Sequence, residues 1–430
     1  MKKGKIIYVF FAVAVIFFLS CDDNDNGGVT TNRPIVFVHG FMGAGDNYAN
    51  MIQSFLQNGY RPEELILFNY DTLAGDIPGI VDSLSEVIDG LIAQTGYSQV
   101  DLIGHSMGGS VGSTYVNREG NAGKVAHYIH AASFPDATFP SGLKVMTISS
   151  PSDTTVGYTE IPGADNQEIT GADHLQVITL ELSFEKAFTF FNDGAEPATI
   201  AIQKEGSVRI EGKVITLAEN QPVVGAEIEV FAVDPETGER TSGSVASFLT
   251  DEEGGWGVLE TDSDTYYEFY IETPGGPVTQ YHYYRQPFLA SQHAAYLRTM
   301  GSEDSSIGLL MGALIEEFSD DFSVVIFFSA NQAVYAGRDT ASIDGFDLAT
   351  SEYADPEQTT IAYFFGDNDN DDVCEGTPGP LSEMPFLEQL DYCLPTDVEQ
   401  PVIFELNGSE LAVPNWKSKS EGIGLAVIDY

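Results

Sequence analysis

A chain of 430 residues is too long for one minimal domain, and its 65 acidic against 18 basic residues give a formal charge of −47. So acidic a surface excludes nucleic acid as a partner and repels anionic membranes, a repulsion that salt screens. Two settings suit it: general secretion, or a marine or saline habitat.

The chain opens with Lys2, Lys3 and Lys5, followed by an apolar run over residues 6–19 that is short for a bilayer span and suited to a signal peptide. Residues 1–20 are therefore predicted to be removed. Phe18-Leu19-Ser20-Cys21 resembles a bacterial lipobox, which makes Cys21 the lipid-modified first residue of an exported envelope lipoprotein, at the outer membrane or cell surface. Phe18 departs from the more usual leucine, and an ordinary secretory signal is the alternative. Residues 21–32 read as an acidic, solvated tether. No later segment is long and apolar enough to cross a bilayer, so the lipid is the only membrane attachment expected.

From residue 33 to 195, strands and helices alternate. Residues 34–38 (PIVFV) read as a buried parallel strand that runs into His39-Gly40-Phe41-Met42-Gly43. Residues 77–94 repeat apolar side chains at helical spacing. Residues 100–103 (VDLI) then lead into Gly104-His105-Ser106-Met107-Gly108, the pattern of a nucleophile elbow, where small flanking residues admit a strained serine between strand and helix. On this reading Ser106 is the nucleophile, and the backbone amides of Phe41 and Met107 form the oxyanion hole.

A further strand, residues 144–148 (KVMTI), ends before Asp153, the expected triad acid. Past it, Gly171-Ala172-Asp173-His174-Leu175 supplies His174 as the expected general base. Asp136, Asp165 and Asp173 compete with Asp153. Of the other histidines, His39 and His105 belong to the two turns, His127 and His130 lie on an apolar strand, and His282 and His293 lie far downstream. A hydrolase fold retained only as a binding scaffold is the alternative to a working site.

After residue 194 the pattern becomes all β. Residues 206–275 hold short alternating runs (207–216, 226–233, 266–271) and resemble a prealbumin-like β-sandwich. Residues 276–430 form a β-rich tail with an aromatic stretch, 281–288, and an apolar, helix-like run, 307–318. The aromatics read either as a lid or acyl-binding wall, or as plain sandwich core, since only residues 134–142 leave room for a cap within the hydrolase part. Asp367, Asp369 and Asp371 alternate in an acidic loop, which matches the oxygen ligation of calcium, although the spacing is not that of an EF-hand. A solvated loop is the other reading. Cys374 and Cys393 are expected to pair in an exported chain, with two free thiols as the alternative.

The strand-turn Phe37-Val38-His39-Gly40-Phe41, the Ser106 elbow, Asp153 and His174 together resemble bacterial lipases of the α/β-hydrolase superfamily. The compact core is similar in size to the small lidless lipases of bacilli. The tail resembles that of the archaeal long-chain lipase whose C-terminal β-barrel covers its active site. The resemblance implies a fold of class α/β: a compact α/β-hydrolase core with a mostly parallel sheet, followed by all-β C-terminal domains, a small β-sandwich and a β-barrel or sandwich. It also implies hydrolysis of acyl esters such as triglycerides through an acyl-enzyme, with no cofactor required and calcium at most structural. The same triad would serve a polyester or another ester equally well.

Overall fold

The computed structural model describes residues 32–135, 138–302, 305–308, 318–367 and 373–429. The signal peptide, Cys21, most of the tether, Asp136, Asp369, Asp371 and most of the run 307–318 lie outside the described residues. Residues 33–430 form one compact unit.

The first half of that unit is a parallel sheet flanked by helices. Its elements are β1 (Ile35–Val38), α1 (Ala49–Gln57), β2 (Leu65–Phe68), α2 (Ile77–Thr95), β3 (Val100–His105), α3 (Met107–Asn117), β4 (Val125–Ala131), β5 (Lys144–Ser149), β6 (Asp165–Glu168), α4 (Gln176–Thr179) and α5 (Glu181–Phe191). The strand order is β2-β1-β3-β4-β5-β6, every pair parallel. Strands β1 and β3 are buried throughout because helices cover both faces, which is why they read as unbroken apolar runs. One face packs Phe37, Phe55 and Phe184 against α1 and α5, and the other packs Val36, Leu84 and Tyr115 against α2 and α3. Helix α2 is closed at both ends: Asp76 accepts the Gly79 amide, and Gly96 turns the chain out at φ 75°.

The second half is built from β7 (Val208–Thr216), β8 (Glu227–Ala232), β9 (Ala246–Leu249), β10 (Gly255–Thr261), β11 (Tyr267–Glu272), β12 (Gln280–Arg285) and β13 (Leu297–Thr299). It continues through β14 (Val325–Ser329), β15 (Ala341–Ile343), β16 (Phe346–Asp347), β17 (Ala362–Gly366), β18 (Leu387–Asp391), β19 (Val402–Leu406), β20 (Ser409–Val413) and β21 (Ile423–Ile428). Eight of these form one sheet, β18-β17-β14-β21-β12-β11-β8-β9. One of its faces packs on the sheet β10-β7-β13 and on Phe41 and Met42 of the first half. The opposite face packs on β16-β15-β19-β20.

The residue 275 boundary drawn from composition falls in the turn between β11 and β12, which are paired over six residues. One sheet therefore runs through that boundary. Residues 281–285 of the aromatic stretch belong to strand β12: Tyr281 and Tyr283 point into the core beside the first half, and Tyr284 into the core on the far face. Cys374 and Cys393 are joined by a disulfide. Among the described residues no helix is long and apolar enough to cross a membrane.

Candidate active site

Ser106 is the single residue between the end of β3 and the start of α3, and it sits at φ 53°, ψ −122°. A side chain rarely tolerates that conformation, which holds Oγ above the sheet edge. Two backbone bonds fix it: the Ser106 amide donates to Ala131 O at 2.9 Å, and Ser106 O accepts from the Gly109 amide at 2.9 Å. The flanking glycines are required by close approach. A Cβ on Gly108 would overlap the carbonyl oxygens of Val38 and His39, and one on Gly104 would overlap that of Gly108.

His174 and Asp153 come together from the loops after β6 and β5. Nδ1 of His174 lies 2.9 Å from Oδ2 of Asp153, while Oδ1 accepts the amides of Thr155 (2.9 Å) and Val156 (3.2 Å). Both side chains are buried. The carboxylate keeps the proton on Nδ1 and leaves a lone pair on Nε2, a buried atom with no hydrogen-bond partner among the described residues. Beneath the ring, Nε2 of His105 donates to His174 O at 2.8 Å, and burial pushes the His105 imidazole well below its ordinary range, so it stays neutral.

The competing groups are engaged elsewhere. Asp165 is exposed on β6. Asp173 uses Oδ1 to cap the amides of Leu175 and Gln176, and Oδ2 to accept from the Ala333 amide and from Arg338. His127 is bonded to Asp101 and Asp193, His282 to Glu268 and His293 to Glu211. His130 lies against Tyr128 Oη and Phe134 O.

The turn after β1 passes directly over the serine: a Cβ on Gly40 would stand 2.9 Å from Cβ of Ser106. Neither the Phe41 nor the Met107 amide donates to another described residue. Several bonds hold the turn rigid. Tyr70 Oη donates to His39 O at 2.6 Å, the Met42 amide to Thr72 Oγ1 at 3.3 Å, and His39 Nδ1 to Gly40 O at 2.9 Å. His39 also stacks on Tyr70, and burial lowers its pKa to about 4.

Three contacts from the C-terminal half complete the site, and none was marked in the sequence. Asn220 Nδ2 donates to Gly43 O (2.8 Å) and Tyr70 O (2.9 Å), tying the turn to the strand pair around β7. Tyr335 and Thr359 bond Thr154 and Thr155, next to the acid. Phe386 lies parallel to the His174 ring and also meets Phe41. Of the expected calcium ligands only Asp367 is described. Among the described residues no group of three or more His, Cys, Asp or Glu could hold a metal ion.

Residues 32–127 match the family model Lipase (class 2), and residues 206–301 match the lipase C-terminal domain. Over these two segments the chain is similar to class 2 lipases and to a lipase C-terminal domain, and its fold is an α/β core followed by a β-rich extension. Solved structures similar to part of the chain include a carboxylesterase of Nitrososphaera gargenis, at 16% identity over 38% of this chain and 90% of that one, TM-score 0.31. An esterase from Rhodococcus sp. ECU1013 is 14% identical over 38% and 92%, TM-score 0.32. A bromoperoxidase from Bacillus anthracis has 14% identity over 38% and 92%, TM-score 0.31. The class 2 lipase match spans the turn after β1 and the Ser106 elbow.

Proposed function

We propose that the protein is a serine carboxylic ester hydrolase of lipase type, acting on acyl esters such as triglycerides. The observation that carries the reading is the His174–Asp153 bond, with Nε2 of His174 left unpaired in the same site as a strained, elbow-mounted Ser106. His174 takes the proton from Ser106 as Oγ attacks the ester carbonyl. Asp153 holds the imidazole tautomer and stabilises the imidazolium. The Phe41 and Met107 amides receive the oxyanion, each worth about 3–4 kcal/mol of transition-state stabilisation. The imidazolium protonates the leaving alcohol, and water then repeats the cycle on the acyl-enzyme to release the acid. No step requires a cofactor.

Phe41 and Met42, on the turn that passes over the serine, and Phe386, beside His174, favour an acyl chain over a sugar or a peptide. Export and anchoring through a lipid on Cys21 belong to the same proposal and rest on the N-terminal sequence. The test is hydrolysis of p-nitrophenyl butyrate and palmitate by the chain from Cys21 onward. The wild type is expected to exceed Ser106→Ala by at least about four orders of magnitude. Equal turnover by the two proteins overturns the reading.

A further inference from the structure

The two halves enclose a cavity of about 620 Å³ whose lining does not include Ser106 or His174. Met42, Leu175 and Leu387 line it, and each directly follows a residue of the site: Phe41, His174 and Phe386. The eight-stranded sheet supplies one wall. Leu387 pairs with Ala362, Ala362 with Phe328, Phe328 with Val427, and Val427 with Arg285. Residues directly opposite on neighbouring strands project to the same face, so these five make one row across the sheet. All five line the cavity. Four strand spacings separate Leu387 from Arg285, or about 19 Å, the length of a long-chain acyl group.

The row is apolar for four residues and ends on a cation. Arg285 is buried and bonds Asp429 through Nη2, while its Nε has no partner. Beside it Arg298 pairs with Asp46, again through Nη2 alone. Both pairs line the cavity. Two guanidinium and two carboxylate groups leave this end with no net charge but with N–H donors to spare. In a chain of charge −47, such an end suits a neutral acceptor oxygen better than a second carboxylate. A plain methyl terminus would desolvate the polar groups and return nothing. Beyond Arg285 the lining continues to Asp264 and Lys204, which are exposed, so a longer chain can leave to solvent there.

We infer that this trough takes the acyl part of the substrate, and that its far end selects chains carrying a neutral oxygen function, a hydroxyl or a second ester. The favoured substrates are then ω-oxygenated acyl esters and linear oligoesters of hydroxy acids. The inference rests on the esterase reading above and narrows its substrate class.

The test compares kcat/KM for the p-nitrophenyl esters of palmitate and ω-hydroxypalmitate, with p-nitrophenyl butyrate as a third substrate. The expected result is a preference of about tenfold for the ω-hydroxy chain, the worth of one neutral hydrogen bond. In Arg285→Met/Asp429→Asn, which removes both members of the ion pair and strands no charge, the ratio of the two long-chain values is expected to fall to about one. Butyrate hydrolysis with no preference between the long chains, or with no long-chain hydrolysis, overturns the inference and leaves the esterase reading standing. A preference that persists in the double variant also overturns it. Absence of turnover on all three esters removes both.

Discussion

The ring of Phe386 lies parallel to that of His174, 7° apart in plane and with centroids 6.1 Å apart, although 211 positions separate the two residues in the chain. Phe386 holds φ 73°, a conformation that costs a residue with a side chain about 1–2 kcal/mol. Its carbonyl accepts the amides of Ile361 and Ala362, and its own amide donates to Gln358 O. The C-terminal half therefore builds a strained residue beside His174, the proposed base, and next to Phe41, so that the two phenylalanines form an apolar wall.

Removing that wall is expected to separate long from short substrates. Phe386→Ala should lower kcat/KM for a long-chain ester by about tenfold, because apolar contact surface worth about 1.5 kcal/mol is lost. A butyrate ester, too short to use the wall fully, should lose less. Steady-state kinetics on the two p-nitrophenyl esters checks this.

Asn220 reaches the turn after β1 from the segment that resembles a prealbumin-like β-sandwich. Asn220→Ala leaves two carbonyls, Gly43 O and Tyr70 O, without their donor. The expected outcome is a fall in kcat of about tenfold with KM for butyrate nearly constant, since the turn loses its setting over Ser106 while binding persists. A matching loss of stability of about 1–3 kcal/mol is expected in chemical denaturation. Unchanged kcat would mean that Tyr70 and Thr72 hold the turn alone.

The hydrolase half was legible for a physical reason. Its strands are covered on both faces and so are written as continuous apolar runs, and the elbow tolerates only glycine where backbones approach. Asp153 and His174, which the structure brings within hydrogen-bond distance, each follow a strand end. The C-terminal half was legible strand by strand, as at 208–216 and 267–272, but not in its assembly. Strand β12 pairs with β21, more than a hundred residues away, and nothing in either segment names the other. Asn220, Arg338 and Phe386 act through such long-range placement. Each is an ordinary loop residue in the sequence, with no spacing that ties it to Ser106, Asp153 or His174.

Arg338 straps the two halves together beside His174. It bonds the buried Asp173 at 2.9 Å, one residue before His174. Arg338→Met is expected to cost about 3 kcal/mol, because the carboxylate stays buried after its partner has gone. The double variant Arg338→Met/Asp173→Asn should recover part of that loss, and denaturant titration of the three proteins reads it out.

Stability is expected to fall on acidification partly through His39. Its folded pKa is about 4, against an ordinary value of 6.5. Between those values the unfolded chain takes up a proton that the folded chain refuses, so stability present above pH 6.5 is lost as the pH falls. The loss between pH 7 and pH 4 is about 3 kcal/mol for this group alone. His39→Asn keeps an N–H near the Gly40 carbonyl and removes the titration. The stability difference between wild type and His39→Asn should therefore shrink by that amount across the interval, measured by denaturation at a series of pH values.

The most direct measurement is the intact mass and peptide map of the protein after reaction with a p-nitrophenyl alkylphosphonate, which traps an activated serine as a tetrahedral adduct. The expected result is one phosphonyl group per chain, on Ser106, with labelling abolished in His174→Ala and slowed strongly in Asp153→Asn. Ester hydrolysis by a protein that carries no label, or carries it on another residue, would contradict the assignment of Ser106 as the nucleophile.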